Sequence, residues 1–209
     1  MTTVLDQIVS KTGKRERERL AALEQLDVMD GPRDQGFDRF VRLIKEIYGI
    51  KIGIVSLIDA HRQWYQACDG LPFGEVPRDG SFCKHVVLAE EAIIVPDTTL
   101  DPRFSDHPAV TGDLHIRFYA GMPIKTKAGH VIGTLCAIHT EPRTFDDRDT
   151  DILRELAGAA MDRIELLQTA STDSLTEALT RRAFKAEADQ MVTLARRHAH
   201  ALSCIVLDI

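Results

Sequence analysis

Two long apolar stretches, residues 115–124 and 130–139, stand either side of Thr126-Lys127-Ala128-Gly129, and that pairing limits the available folds more than any other feature. A short turn-forming group between apolar, β-branched and aromatic runs marks an antiparallel hairpin, since adjacent strands can close on it without a crossover. An earlier segment repeats the pattern. Residues 52–59 are apolar and β-branched, Asp59-Ala60-His61-Arg62 reads as a turn, and residues 63–67 return with aromatics. These hairpins and the irregular loop between them are expected to form one antiparallel sheet with a single covered face.

Helical spacing appears around them. Phe37, Phe40, Val41, Ile44, Ile47 and Tyr48 share one helical face within 34–48, and Gly49 comes next, where a helix end favours a left-handed residue. A short helix is expected over 81–89 and a brief strand over 92–95, ended by Pro96. Residues 97–112 hold too many turn formers for regular structure. A long helix is predicted from Thr144, its hydroxyl capping while Asp147 supplies the reciprocal acid. Its stripe of Ile152, Leu156, Ala160, Ile164 and Leu167 suits either docking on the sheet or a two-stranded coiled coil. Strands and helices mix without strict βαβ alternation, which gives an α+β class.

The character changes at Ser171. Ser174 and Glu177 suit a capped turn, 181–200 a helix, and 201–209 an apolar strand on which the sequence stops, which reads as a truncation because a last strand needs a partner. The expected division is 1–22 as an N-terminal helical segment, 23–170 as the main domain with its long helix, and 171–209 as an incomplete α/β fragment.

Composition excludes several function classes. With 209 residues, 44% of them apolar and 28% charged, the chain can fold around its own core without a metal or disulfide staple. A formal charge of −6 argues against nucleic acid as a partner, and the basic cluster at 11–19 is broken by Glu16 and Glu18, as on a solvated helix face. The four cysteines, Cys68, Cys83, Cys136 and Cys204, show neither zinc nor disulfide spacing, which fits a reducing, cytoplasmic setting. No apolar run is long enough for a signal peptide or a membrane span.

Residues 23–167 resemble the GAF domains found before histidine kinases and diguanylate cyclases. The resemblance rests on VSLIDAHRQWYQACDGLP at 55–72, SFCKHVV at 81–87, VPDTTLDPRFSDHPAV at 95–110, IRFYAGMPI at 116–124 and GHVIGTLCAIHTEPR at 129–143, in that order. It implies a roughly six-stranded antiparallel sheet flanked by helices, with a pocket on one face for a small molecule whose identity is unknown. Residues 171–209 resemble the opening of a GGDEF diguanylate cyclase domain, through Asp173-Ser174-Leu175-Thr176, Arg181-Arg182-Ala183-Phe184 and the run 201–209. Glu177 and Thr180 depart from that family's usual Gly and Asn. The resemblance implies that Asp208, with the Ile209 carbonyl, holds Mg²⁺ against GTP in a complete enzyme, where hard oxygens suit that ion. It also implies that two cyclase domains meet, so a homodimer through the terminal helices is expected. The family's signature loop is not in these residues, so no catalytic residue is expected here.

Ligand candidates in the first domain are Cys83, His85, Asp97, Arg103, Arg117 and Tyr119. Cys83 and His85 stand two apart, a spacing that invites redox, haem or chromophore chemistry, although inert packing is the expected reading for a free cysteine. Asp97, Asp101 and Arg103 suit a polar ligand or loop fixing. Arg117 and Tyr119 share a strand face, where they offer an anion contact and a stacking ring, or an ordinary exposed pair. Cys136 and Trp64 read as packing residues. The functional expectation is a sensory input to a cyclase making cyclic di-GMP from two GTP. The alternatives are a cysteine-based free methionine sulfoxide reductase and a cofactor-bearing photosensor or redox sensor; no cofactor is assigned to the domain itself.

Overall fold

Both hairpins close in a computed structural model that describes residues 4–29, 34–72, 74–169, 172, 176, 178–198 and 201–206. The strands are β1 (Ile52–Ile58), β2 (Arg62–Asp69), β3 (Glu75–Pro77), β4 (Ile93–Val95), β5 (Phe118–Lys125) and β6 (Val131–His139). They form a six-stranded sheet in the order β3-β2-β1-β6-β5-β4, with every neighbouring pair antiparallel. The β5–β6 turn closes with Thr126 N–H on the His130 carbonyl at 2.9 Å, and Gly129 takes a φ of 87°. The β1–β2 turn is held by Asp59, whose carboxylate accepts from the His61 and Arg62 amides at 2.7 Å each.

The sheet is covered on both faces, which corrects the expectation of one. Every residue of β1 and β6 is buried. Their polar content is low for that reason, since a strand buried twice has no solvent face on which to alternate. One face carries the helix α2 (Gly36–Tyr48), whose Val41 and Ile44 side chains close over Gly53 of β1. Against α2 lies the helix α5 (Asp147–Thr169), running antiparallel to it: the Tyr48 hydroxyl donates to the Asp149 carbonyl, and Arg163 pairs with Asp34 just ahead of α2. The other face carries the helix α3 (Cys83–Ala89) and the loop 96–117, which includes the single turn α4 (Pro108–Thr111).

Two features of α5 differ from expectation. Its cap is Asp146: the Asp149 amide donates to Asp146 Oδ1 at 2.8 Å, and the Asp146 amide donates back to Asp149 Oδ2 at 3.2 Å. Thr144 stands outside the helix. The buried stripe is Leu153, Ala157, Ala160, Met161 and Ile164, rotated from the expected one, with Ile152 and Leu156 at its half-buried edge. Which of these apolar residues face inward depends on how the helix is seated, a choice that periodicity alone does not make.

The N-terminal helix α1 (Val4–Leu26) runs unbroken across residues 22 and 23. The basic cluster is not wholly a solvated face. Arg19 is buried, and its guanidinium donates to the Ile58 carbonyl at 2.6 Å while also binding Glu16 at 2.8 and 2.9 Å.

The chain divides into compact units Met1–Ile164 and Glu165–Ile209. The second contains α6 (Arg181–His198), entered through the Thr180 hydroxyl, which accepts from the Ala183 amide at 3.3 Å. The strand expected at 201–209 is not formed over 201–206, where Ile205 and Val206 are exposed and unpaired with any described strand, and a lone strand has no ladder to define it. Asp208 and Ile209 lie outside the described residues, as do Asp173, Ser174 and Glu177. No described helix is long and apolar enough to cross a membrane.

Candidate functional site

Beneath α3, the sheet carries polar side chains where an apolar core is expected. Ser56 and Thr134 face one another across β1 and β6, their hydroxyls 3.0 Å apart. Gln63 on β2 donates through Nε2 to Ser56 Oγ at 2.8 Å and to Cys83 Sγ at 3.1 Å. Cys83 opens α3, and its sulfur lies 3.2 Å from that of Cys136 on β6. The Cys136 thiol donates to Thr134 Oγ1 at 3.2 Å, and the Tyr119 hydroxyl reaches both sulfurs, at 3.4 and 3.6 Å. Side chains from four strands and one helix thus close a single buried network, and buried polar groups persist only when satisfied in this way.

Gly121 makes room for it. It pairs with Cys136 across β5 and β6, and a Cβ there would stand 2.2 Å from the Tyr119 hydroxyl. The glycine is the space into which the phenol folds.

The network makes the two thiols unequal. Burial by itself raises the pKa of Cys83, but hydrogen bonds from Cys136, Thr134, Tyr119 and Gln63 outweigh it and bring the value down to about 7. Cys136 is pushed well above the ordinary thiol range by burial and then by its bond to and charge coupling with Cys83. Of the two thiols, Cys83 is therefore the one that ionises more readily.

Above the thiols lies an aromatic layer. Phe82, Phe104 and Tyr119 meet at centroid distances of 4.6 to 6.0 Å, and Phe104 and Tyr119 are completely buried. His85 stands edge-on to Phe104 at 5.0 Å, and Arg103 lies over the same ring at 5.1 Å while pairing with Asp101 at 2.6 Å. Burial, then the charges of Lys84 and Arg103, lower the His85 pKa, so its ring is neutral at pH 7. Phe82 also stacks against His107 at 4.4 Å, whose Nδ1 accepts from the Ala109 amide and whose Nε2–H donates to the Gly80 carbonyl. These contacts tie α3 to the loop 96–117.

The sequence candidates separate accordingly. Cys83 and Tyr119 meet in the buried network, while His85 and Arg103 flank Phe104 nearer the surface. Asp97 and Arg117 fix the loop ends: Asp97 accepts from the Thr99 amide and hydroxyl, which lowers its pKa, and Arg117 donates to the Val110 and Ile116 carbonyls at 2.9 Å. Arg117 and Tyr119 do not act as one grip, because Arg117 precedes β5 and turns to α4. Cys136, Gln63, Ser56 and Thr134 were not singled out as site residues by sequence reasoning. Gln63 and Ser56 were visible only as polar interruptions in apolar strands, a signal with meaning once register is known. No group of three or more metal-ligating side chains occurs among the described residues.

The GAF domain family matches residues 32–164. The chain belongs to the GAF family. Its α+β architecture, with a six-stranded antiparallel sheet flanked by helices, is that of the family. Over 155 residues this GAF chain is 37% identical to a cyclic di-GMP phosphodiesterase of Pseudomonas aeruginosa, a match covering 74% of this chain and 26% of that protein. It therefore spans about a quarter of that relative's length. Among solved structures, the GAF domain of a phosphoenolpyruvate-protein phosphotransferase from Coxiella burnetii aligns with a TM-score of 0.56 at 17% identity, over 74% of this chain and 95% of that one. A free methionine-R-sulfoxide reductase from Neisseria meningitidis aligns with a TM-score of 0.53 at 23% identity, over 72% and 88%. Both establish the shared fold.

Proposed function

We propose that this GAF domain is the input module of a longer cytoplasmic protein of cyclic di-GMP signalling, and that it governs an effector C-terminal to it. The observation that carries this reading is the 37% identity with a cyclic di-GMP phosphodiesterase over 155 residues. The helix α5 suits the role of transmitter. It is tied to the two ends of α2 by the Tyr48–Asp149 and Asp34–Arg163 contacts, buries Leu153, Ala157 and Ile164, and continues to Thr169. A change on the α2 side of the domain is thereby passed along α5.

The proposed effector is a diguanylate cyclase, working as a homodimer on GTP with Mg²⁺ held by Asp208 and the Ile209 carbonyl. Its support is the resemblance of 171–209 to the opening of a GGDEF domain, where Thr180 and Arg181 start α6 as a capped helix. The ligand proposed for the GAF domain is a small molecule received where α3 meets the loop 96–117, with His85 and Arg103 at the rim. The test is to supply the full-length parent with Mg²⁺ and either GTP or cyclic di-GMP. Cyclic di-GMP made from GTP supports the cyclase, its hydrolysis alone replaces the cyclase with a phosphodiesterase, and inertness in both assays sinks the signalling reading.

One observation favours a second reading, a free methionine sulfoxide reductase. That chemistry needs a thiolate with a resolving thiol in reach, and Cys83 and Cys136 are in contact. The packing of Phe82, Phe104 and Tyr119 over them leaves the sensor reading preferred, and sulfoxide-dependent turnover abolished in Cys83→Ser would reverse that order.

A further inference from the structure

The buried thiol pair has no part in the signalling reading above, and its geometry is that of a dithiol prepared to oxidise. Two cysteines that are far apart in sequence meet at 3.2 Å between the sheet and the short helix α3. Cys83 Sγ faces the Gln63 amide and the Tyr119 hydroxyl, both able to donate to it, and lies against the Cys136 sulfur; donors around a sulfur favour its thiolate. Cys136 directs its own proton to Thr134. A nucleophilic thiolate beside a protonated partner is the arrangement a two-step oxidation uses.

We propose that Cys83 and Cys136 form a reversible oxidation site whose substrate is a small hydroperoxide. The Cys83 thiolate attacks the terminal oxygen of the hydroperoxide, the O–O bond breaks, and the departing alkoxide or hydroxide takes a proton from solvent. Cys83 is then a sulfenic acid. The Cys136 thiol attacks that sulfur, the S–O bond breaks, and hydroxide leaves with the Cys136 proton as water. In sum, two thiols and one hydroperoxide give one disulfide, one alcohol or water from the peroxide, and one further water; the thiols lose two electrons and the O–O bond gains them.

The consequence is mechanical. The sulfurs must close from 3.2 Å to about 2.05 Å. Strand β6 is fixed by neighbours on both sides, whereas α3 is a short surface helix with Leu88 exposed, so α3 moves. Phe82, at the head of α3, passes that motion to Phe104 and His107 in the loop 96–117. Because both sulfurs are buried, the oxidant must be little larger than water, and hydrogen peroxide is the probe of choice.

The experiment treats the reduced, folded chain with hydrogen peroxide, then denatures it, alkylates the remaining thiols and maps the peptides. Two of the four cysteines should escape alkylation, joined as one cross-linked pair carrying Cys83 and Cys136, and dithiothreitol should restore both. Cys83 and Cys136 remaining alkylatable after Cys68 or Cys204 has oxidised, or a cross-link that joins other cysteines, would overturn the proposal. The order of attack is read in Cys136→Ser, where a sulfenic-acid probe should label Cys83, against Cys83→Ser, where Cys136 should stay unlabelled; the reverse labelling refutes the assigned nucleophile. Should either variant fail to fold, the cross-link map of the unaltered chain decides alone. The readout is thiol chemistry and not nucleotide turnover, so its failure is distinct from failure of the cyclic di-GMP reading.

Discussion

At the scale of single residues, the positions that matter most are those where a side chain meets the backbone or sulfur of a distant strand. Arg19 is one: its guanidinium satisfies the Ile58 carbonyl from within the core, so Arg19→Met leaves that carbonyl and the Glu16 carboxylate short of a partner. We expect a loss of about 3 kcal/mol in urea unfolding, in keeping with the removal of one partner from a buried charged network; a loss below about 1 kcal/mol would show that the network is exchangeable for water. Gly121 is another. Gly121→Ala should push the Tyr119 hydroxyl off the thiols and raise the Cys83 pKa above about 7, read from the ultraviolet absorbance of the thiolate against pH. An unchanged titration would mean that Tyr119 contributes nothing to it. Sequence reasoning reached two of the six residues of this cluster. Cys83 and Tyr119 are individually suggestive, but Cys136 sits in an apolar run and Ser56, Gln63 and Thr134 are unremarkable alone. What joins them is cross-strand register together with a bulge at Val55 and Ser56, and register depends on packing that no local pattern encodes.

Elements were legible to the extent that their periodicity was unambiguous. The helix α2 and both hairpins fall where their apolar spacing puts them, and Gly49 ends α2 in the left-handed conformation expected of it, with φ of 58°. The ends and faces of α5 were less so, because Thr144, Asp146 and Asp147 all suit a cap and only the chain's path off β6 selects Asp146. Removing that cap tests the assignment: Asp146→Ala should cost about 1 kcal/mol while Thr144→Ala costs little, as measured by thermal unfolding of each variant. Equal effects would contradict the capping geometry. The strand expected at 201–209 is missing over the described residues 201–206 for a different reason, since apolar β-branched content shows a capacity to pair and not the presence of a partner.

For the whole molecule, titration links the core to its surroundings. His85, His107 and His139 all have pKa values lowered from 6.5, in each case chiefly by burial. The unfolded chain then binds protons that the folded chain refuses, so stability should fall as pH drops below about 6.5. Glu16 adds to this at lower pH. Burial raises its pKa, but the bonds from Arg19 and Arg78 outweigh that and leave it below 4.5, so its contribution is present above that value and is lost as pH falls through the lowered one. Urea midpoints should therefore decrease steadily from about pH 7 to about pH 4, and a flat profile would refute the buried neutral histidines. The central claim is that the GAF domain sets the activity of an effector joined to its C-terminal side. The most direct measurement is cyclic di-GMP turnover by the full-length parent, compared with the same protein lacking residues 1–170. A severalfold difference in rate is expected if the GAF domain sets the state of the effector, and identical rates under reducing and peroxide-treated conditions alike would contradict it.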